Sequence, residues 1–156
     1  MKIASHLEKI ERLKALRERL DPAEDFEIWA WTSMTIATNG INAVHHHLGL
    51  ADVTEFFPHQ IPGVYVRPEP EDGHWQKVIA PPGDVIHVGL PPLKGLPPEE
   101  LKAAYASLEV LEQLRERYVR GNTSISEVVI TETERAYVGC LSITNDLLAR
   151  RSGMRT

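Results

Sequence analysis

The feature that most constrains this chain is a run at positions 28–51 that contains no Asp, Glu, Lys or Arg. Its length would suit a transmembrane helix, which needs about 20 mostly apolar residues. The run nevertheless holds polar side chains that a bilayer core penalises, namely Thr32, Ser33, Thr35, Thr38, Asn39, Asn42 and three consecutive histidines. We therefore expect a helix buried by protein, in a cytoplasmic chain without a membrane span. Residues 1–20 lack the apolar core of a signal peptide.

Two helices are predicted before position 50. Apolar residues spaced by three and four predict helix 1 over residues 3–20. The sequence Asp21-Pro22-Ala23-Glu24 supplies a cap, a first-turn proline and a capping-box acid, so helix 2 is predicted to run from Pro22 to Leu48, with Gly49 ending it. Trp31 and Met34 widen its apolar surface, and this breadth indicates burial on more than one side, including contact with a second subunit.

Two further helices are predicted after position 96. Pro97-Pro98-Glu99-Glu100 is a favourable helix start, and Gly121 a natural end for helix 3. Ser124 and Glu127 fit a capping box, which predicts helix 4 to about position 151. Gly40 and Gly139 interrupt helices 2 and 4, and we expect them at a close approach of these helices. The predicted fold class is mainly all-α: one domain, residues 1–156, built as an antiparallel four-helix bundle.

Residues 50–96, the proline-rich segment, interrupt this bundle between helices 2 and 3. All but one of the eleven prolines lie at or after position 58 and none follows position 98. The β-rich stretches 64–66 and 75–79 flank Asp72-Gly73, a dipeptide suited to a tight turn, and predict a short β-hairpin. Because a long structureless insertion is unusual in a compact domain, we expect an ordered segment with its own contacts.

Six of the seven histidines lie near the predicted end of helix 2 or in the proline-rich segment. Imidazole ligands suit a divalent transition metal such as Zn, Fe, Ni or Cu. The triplet 45–47 cannot all bind one ion on a helix, since consecutive residues point about 100° apart. The candidate metal ligands are therefore His46, His59 and His87. The alternative is that the histidines cap carbonyls, pack or face solvent at the helix end; no His-Glu-x-x-His motif decides between the two.

The same end of helix 2 is the predicted contact surface for a small molecule or protein partner. Aromatic side chains would supply apolar contact and histidines orientation; the candidate residues are His45, His46, Phe57, His59, Tyr65, Trp75 and His87. An alternative role for the aromatics is to anchor the proline-rich segment on the bundle. The function predicted is a self-associating binding or accessory module, and the competing class is a metal-dependent enzyme with its site at this end.

Thr35, Thr38, Asn39, Asn42 and His46 share one face of helix 2. Buried polar groups need partners, so this polar row predicts either a twofold homo-oligomer interface or a small-molecule pocket, of which we favour the interface. Nucleic acid is not expected as a ligand, because the net charge is −5 and the pI is about 5.8. Cys140 is the single cysteine and lies in an apolar stretch, which is typical of a core residue.

The four-helix outline is similar to that of HEPN-domain proteins, some of which are RNases or companions of nucleotidyltransferases. The nuclease members carry an Arg followed a few residues later by His near the last helix. Here Arg150 and Arg151 are followed by Ser152, Gly153 and Met154. Arg67 and His74 have a comparable separation but lie in the predicted hairpin. The resemblance therefore implies a further alternative, a HEPN-like RNase or companion protein, without its catalytic motif.

Overall fold

The fold is mainly helical, as predicted. It is known from a computed structural model that describes residues 2–51, 93–119, 121 and 123–150, together with the backbone of two strands. In chain order the elements are α1 Ile3–Arg17, α2 Phe26–His47, β1 Val64–Pro68, β2 Trp75–Ile79, α3 Glu99–Leu114, continued by a π-helical turn Arg115–Val119, and α4 Glu127–Ala149. Within the described ranges, no helix combines the length and apolarity needed to cross a bilayer.

The strands β1 and β2 pair antiparallel in a two-stranded sheet. Val64 lies opposite Ile79 at one end of the pairing, and Pro68 lies opposite Trp75 at the other. The pair Pro68 and Trp75 is therefore at the end of the sheet nearest, in sequence, to the residues that connect the two strands.

The predicted start of helix 2 at Pro22 is wrong, because α2 begins at Phe26. The Asp21 carboxylate accepts hydrogen bonds from the backbone N–H groups of Ala23 and Glu24, at 2.8 and 3.1 Å. The Asp25 carboxylate in turn accepts one from the Asp21 N–H at 3.0 Å. These local bonds stabilise a turn that competes with the helix. The residues that predicted the helix start therefore form this turn instead, and α2 begins only after it.

The prediction that Gly49 ends α2 is confirmed. Gly49 has φ +70°, a backbone conformation that costs a glycine little. Its N–H donates to the His46 carbonyl at 3.2 Å, and the Leu50 N–H donates to the His45 carbonyl at 2.8 Å. This pair of bonds is the Schellman arrangement, which satisfies two carbonyls at the helix end.

The connection between α3 and α4 differs from the prediction. Helix α4 starts at Glu127 after Ser126, so Ser124 is not its cap. Helix α3 widens into the π-helical turn before Gly121. A Cβ on Gly121 would lie 2.3 Å from the Arg117 carbonyl oxygen, a distance that no side chain tolerates. Gly121 is therefore required by close approach of the backbone to the π-helical turn.

Helix α2 is the centre of the fold, since it contacts α1, α3 and α4. Every residue from Thr32 to His45 is buried. The main core joins α2 to the inner faces of the other helices through aliphatic and aromatic side chains, among them Ile10, Met34, Ile36, Ile41, Leu101, Leu108, Tyr137 and Leu147. The breadth of the apolar surface on α2 is thus satisfied within one chain, and it no longer requires a second subunit.

The two helical glycines have different neighbours. A Cβ on Gly40 would lie 3.0 Å from the Thr144 hydroxyl oxygen of α4, which agrees with the predicted approach of helices 2 and 4. A Cβ on Gly139 would instead lie 3.5 Å from the Ser107 hydroxyl of α3. The shared role predicted for the two glycines is therefore wrong for Gly139.

Candidate functional site: the histidine end of helix α2

The last turn of α2 lies where several segments meet, and we call this region the histidine end. The Lys94 N–H donates to the Leu50 carbonyl at 2.8 Å, so the two sides of the proline-rich segment are joined beside α2. The His47 Nε2 atom lies 3.0 Å from the Arg150 carbonyl oxygen at the end of α4. The Arg150 guanidinium donates to the Glu100 carboxylate at 2.9 Å in the first turn of α3. Hydrogen bonds of the backbone and of side chains thus connect α2, α3 and α4 in this region.

Helix α1 reaches the same region through His6, which is 2% exposed. The His6 Nδ1 atom lies 2.9 Å from the Asn39 Oδ1 atom. The Asn39 amide nitrogen donates to the Thr35 carbonyl at 2.7 Å, which fixes the orientation of the amide. Because the Asn39 oxygen can only accept, His6 must donate from Nδ1. In the neutral ring, His6 Nε2 is then an acceptor, and it is buried with no hydrogen-bond partner among the described residues.

The His6 ring stacks on His46 of α2, with ring centroids 5.4 Å apart and planes inclined by 26°. The His46 Nδ1 atom lies 3.3 Å from the Ala51 carbonyl oxygen, just after the helix ends. Burial is the main cause that lowers the pKa of His6 below its ordinary value of 6.5, and the neighbouring charge of His46 acts in the same direction. The stacked pair is therefore favoured with His6 neutral.

His45 lies deeper in the core and pairs with α3. Its Nε2 atom and the Tyr105 hydroxyl oxygen are joined by a hydrogen bond of 2.7 Å. Burial, reinforced by the charges of His46 and His6, lowers the pKa of His45 to about 3. Burial also raises the pKa of the Tyr105 hydroxyl. Both groups thus stay neutral at ordinary pH, and the pair links α2 to α3 without buried charge.

The histidines predicted to bind a metal are not gathered into a site by the described residues. No group of three or more His, Cys, Asp or Glu side chains that could hold an ion occurs in the described ranges. Of the three predicted ligands, only His46 has a described side chain; His59 and His87 lie outside the described residues. The structure identifies no metal ligand among the described side chains of the histidine end.

The other predicted contact residues divide in the same way. Phe57 lies outside the described residues, whereas Tyr65 and Trp75 belong to β1 and β2, of which the structure describes the backbone. His45 and His46 are brought together with Tyr105 and His6. Polar side chains of α1, α2 and α3 are thus in contact at this end. The predicted contribution of the proline-rich segment to the contact surface stays a prediction.

The polar row on α2 has partners inside the chain. The Thr35 and Thr38 hydroxyls donate at 2.8 Å to the carbonyls of Trp31 and Met34, four residues earlier. Asn39 bonds within α2 and to His6. All three side chains are buried in the single chain. These residues are therefore buried and hydrogen-bonded within one chain, with His6 of α1 on Asn39, so the row does not need a second subunit to satisfy it, and the predicted subunit interface stays a prediction.

His6 and Tyr105 are the site residues that the sequence analysis did not select. His6 lies three residues after Ile3 and four before Ile10, so it occupies the inward stripe of α1. A histidine inside an apolar stripe is the signal that would have found it. Tyr105 fits the inner stripe of α3, and nothing in the sequence indicates its partner on α2.

A second buried polar cluster lies farther along α1. The Arg17 guanidinium lies 4.3 Å from the Trp29 ring centre and 3.9 Å from that of Tyr137. It also donates to the Ser33 hydroxyl at 2.7 Å and forms an ion pair with Glu134. Planar stacking and fixed donors are features of arginine that lysine lacks. Arg17 thus connects α1 with α2 and α4.

An open cleft of about 690 Å³ lies between the start of α2 and the α3–α4 connection. Its lining combines acidic and apolar groups, including Glu24, Glu27, Ile28, Tyr118 and Ile125. Of the predicted site residues whose side chains the structure describes, neither His45 nor His46 lines this cleft, so it is separate from the last turn of α2.

Comparison of the chain with protein-family models, with curated proteins and with solved structures found no match.

Proposed function

We propose that this chain is an antiparallel four-helix-bundle binding or accessory module, and that its contact surface for a protein partner or small molecule is the histidine end. The surface would combine the end of α2 with the proline-rich segment. The observation that carries the proposal is the Lys94–Leu50 hydrogen bond, which joins both sides of that segment beside His46. The segment between Leu50 and Lys94 is thereby attached on both sides to the same end of the helices.

The chemistry of His45 and Cys140 argues against catalysis by these two residues. A general base works best when its pKa lies near the operating pH, whereas burial lowers the pKa of His45 to about 3. A cysteine nucleophile acts as its thiolate, whereas burial raises the pKa of Cys140 to about 12. These shifts hold both groups in their neutral, weakly reactive forms. They suit a structural role in the packed core, where both side chains are 0% exposed.

Self-association is the second part of the proposal. It now depends on exposed apolar side chains of α4 rather than on α2: Val138 is 51% exposed and Val128 is 73% exposed. Burial of such side chains against a second copy would be favourable at about 25 cal/mol per Å² of apolar area removed from water. Sedimentation velocity over a wide concentration range tests this part separately from ligand binding.

The experiment for the histidine end is a comparative affinity purification from the native cells with quantitative mass spectrometry. We expect a partner that is retained by wild type and by Ile28→Ala, a control in the distant cleft, and lost with His46→Ala combined with Trp75→Ala. Native mass spectrometry of untagged protein supplies the small-molecule arm. A partner lost equally with both variants, or none in either arm, would contradict the assignment of this surface. Stoichiometric zinc, nickel or iron in the untagged protein would favour the metal-dependent alternative.

A further inference from the structure

We propose that the first two turns of α1, residues 2–9, are an acid-released cover over the polar face of α2, with His6 as the group that senses protons. This property is separate from the proposed binding function. It follows from how α1 is attached, from the hydrogen bonding of His6 and from the charges around it.

The attachment of α1 is uneven along its length. Among residues 2–9, His6 is the one buried side chain; Leu7 is exposed and Ile3 is only half-buried. Farther along, Ile10 belongs to the main core, and Arg17 is held by two rings, a hydroxyl and a carboxylate. The first two turns thus depend on His6, whereas the later turns have independent anchors.

The start of α1 is also weak as a helix. Lys2 occupies the N-cap position without a side-chain hydrogen bond, and the first turn contains no acid. A good capping side chain typically contributes about 1 kcal/mol, and acids in the first turn offset the helix dipole. Loss of the contact made by His6 would therefore leave little to hold residues 2–9 in place.

The hydrogen bonding of His6 accommodates one proton and not two. Its Nδ1–H donates to Asn39, and its Nε2 is buried without a hydrogen-bond partner among the described residues. A second proton at Nε2 would create a buried cation with an unsatisfied donor, and such a group is costly. Protonation therefore favours conformations in which His6 leaves the surface of α2 and reaches water.

The charges near His6 act in the same direction. His46 of α2 and Lys9 of α1 each disfavour the charged ring, whereas the hydrogen bond to Asn39 favours it but is outweighed by burial. His45 of α2 is close enough that His6 and His46 affect its titration in turn. No carboxylate is among the groups that influence His6 within the described part of the chain. A protonated His6 would thus meet further positive charge.

The direction of the pH effect follows from these contacts. Because burial lowers the pKa of folded His6 below 6.5, the displaced ring binds protons more strongly than the docked ring. Docking of residues 2–9 is therefore strongest above pH 6.5 and weakens as the pH falls below it. Displacement would expose His46 and the Asn39 amide, while Arg17 and Ile10 keep the rest of α1 attached.

The test is amide hydrogen exchange of the full chain at about pH 7.5 and about pH 5, corrected for intrinsic exchange rates. We expect the protection of residues 3–10 to fall by about tenfold or more at the lower pH, with α2 and residues 11–17 changing by less than about threefold. His6→Asn keeps an amide donor near the Nδ1 position and does not titrate, so it should abolish the response. His47→Asn, at the end of α2, is the matched control and should retain it.

A second measurement keeps the proposal testable if the His6→Asn chain does not fold. The His6 ring can be titrated in the wild type by NMR, and its midpoint should lie below 6.5 and coincide with the loss of protection in residues 3–10. A ring that titrates at or above 6.5, equal loss of protection in all four helices, or an unchanged acid response in a folded His6→Asn chain would each overturn the proposal.

Discussion

Arg17 shows how one side chain can fix the position of a helix. Its guanidinium lies between Trp29 and Tyr137 while its donors reach Ser33 and Glu134. Together these contacts need a flat cation. A lysine ammonium group can donate hydrogen bonds, but it has no planar face that could stack between the two rings at the same time. Arg17 therefore contributes through its shape as well as its charge.

We predict that Arg17→Lys lowers the free energy of unfolding by about 2 kcal/mol, since stacking and charge-assisted hydrogen bonds are lost while the charge is kept. Urea denaturation followed by tryptophan fluorescence measures this change. Arg12→Lys is the control, because the Arg12 side chain is 71% exposed and should alter stability by less than about 0.5 kcal/mol. Equal effects of the two substitutions would show that Arg17 contributes only its charge.

The pair formed by His45 and Tyr105 gives a second prediction at this scale. Tyr105→Phe keeps the ring and removes the hydroxyl that bonds to His45 Nε2. We expect a loss of about 1–3 kcal/mol, the typical cost of removing one partner from a buried hydrogen bond. Chemical denaturation provides the measurement. Tyr118→Phe, on a half-buried ring, is the comparison and should have the smaller effect; the opposite order would contradict the role given to His45.

At the scale of the helices, the contact between α2 and α4 depends on Gly40. The Thr144 hydroxyl beside it donates to the Cys140 and Leu141 carbonyls, so it is held in place. Gly139 has more space, because a Cβ added there would lie at an ordinary contact distance from the Ser107 hydroxyl. The same substitution should therefore act differently at the two glycines.

We predict that Gly139→Ala raises the free energy of unfolding by up to about 1 kcal/mol, the gain in helix propensity. Gly40→Ala should show none of this gain, and Gly40→Val should lose about 1–3 kcal/mol through overpacking. Thermal and urea denaturation of the three variants provide the comparison. A stabilising Gly40→Ala would mean that α2 and α4 do not approach closely at this position.

The helices illustrate what the sequence determines locally. Gly49 ends α2 as predicted, because the left-handed conformation and the Schellman bonds involve residues that are close in sequence. The predicted start of α2 is wrong, since Asp21 and Asp25 form a turn from the same residue types that cap helices. The pairings of His6 with Asn39 and of His45 with Tyr105 join distant positions, so periodicity could place the residues on faces but could not identify their partners.

At the scale of the whole molecule, one chain provides the burial from water that its uncharged segment needs. The sequence indicates burial of residues 28–51 on several sides, and part of that burial was expected from a second subunit. The structure provides it for Thr32 to His45 through α1, α3 and α4 of the same chain. Periodicity could predict a wide buried surface, but it could not show whether the covering helices belong to the same chain.

We predict from this that a dilute, monomeric sample retains its helices. Circular dichroism combined with sedimentation velocity on the same sample should give an unchanged helical signal at concentrations where one sedimenting species of 17.5 kDa is present. The exposed Val128 and Val138 would then govern only association, and Val138→Ser should weaken any dimer without reducing helix content. A helical signal that is lost together with the dimer would contradict burial within one chain.

The most direct measurement of the central claim is residue-resolved hydrogen exchange along α2 in a sample shown to be monomeric. If α2 is enclosed by the other three helices of its own chain, the amides of residues 32–45 should be the slowest to exchange, slower than those of residues 3–10 by about two orders of magnitude or more. Exchange along α2 as fast as at the start of α1 would contradict the account.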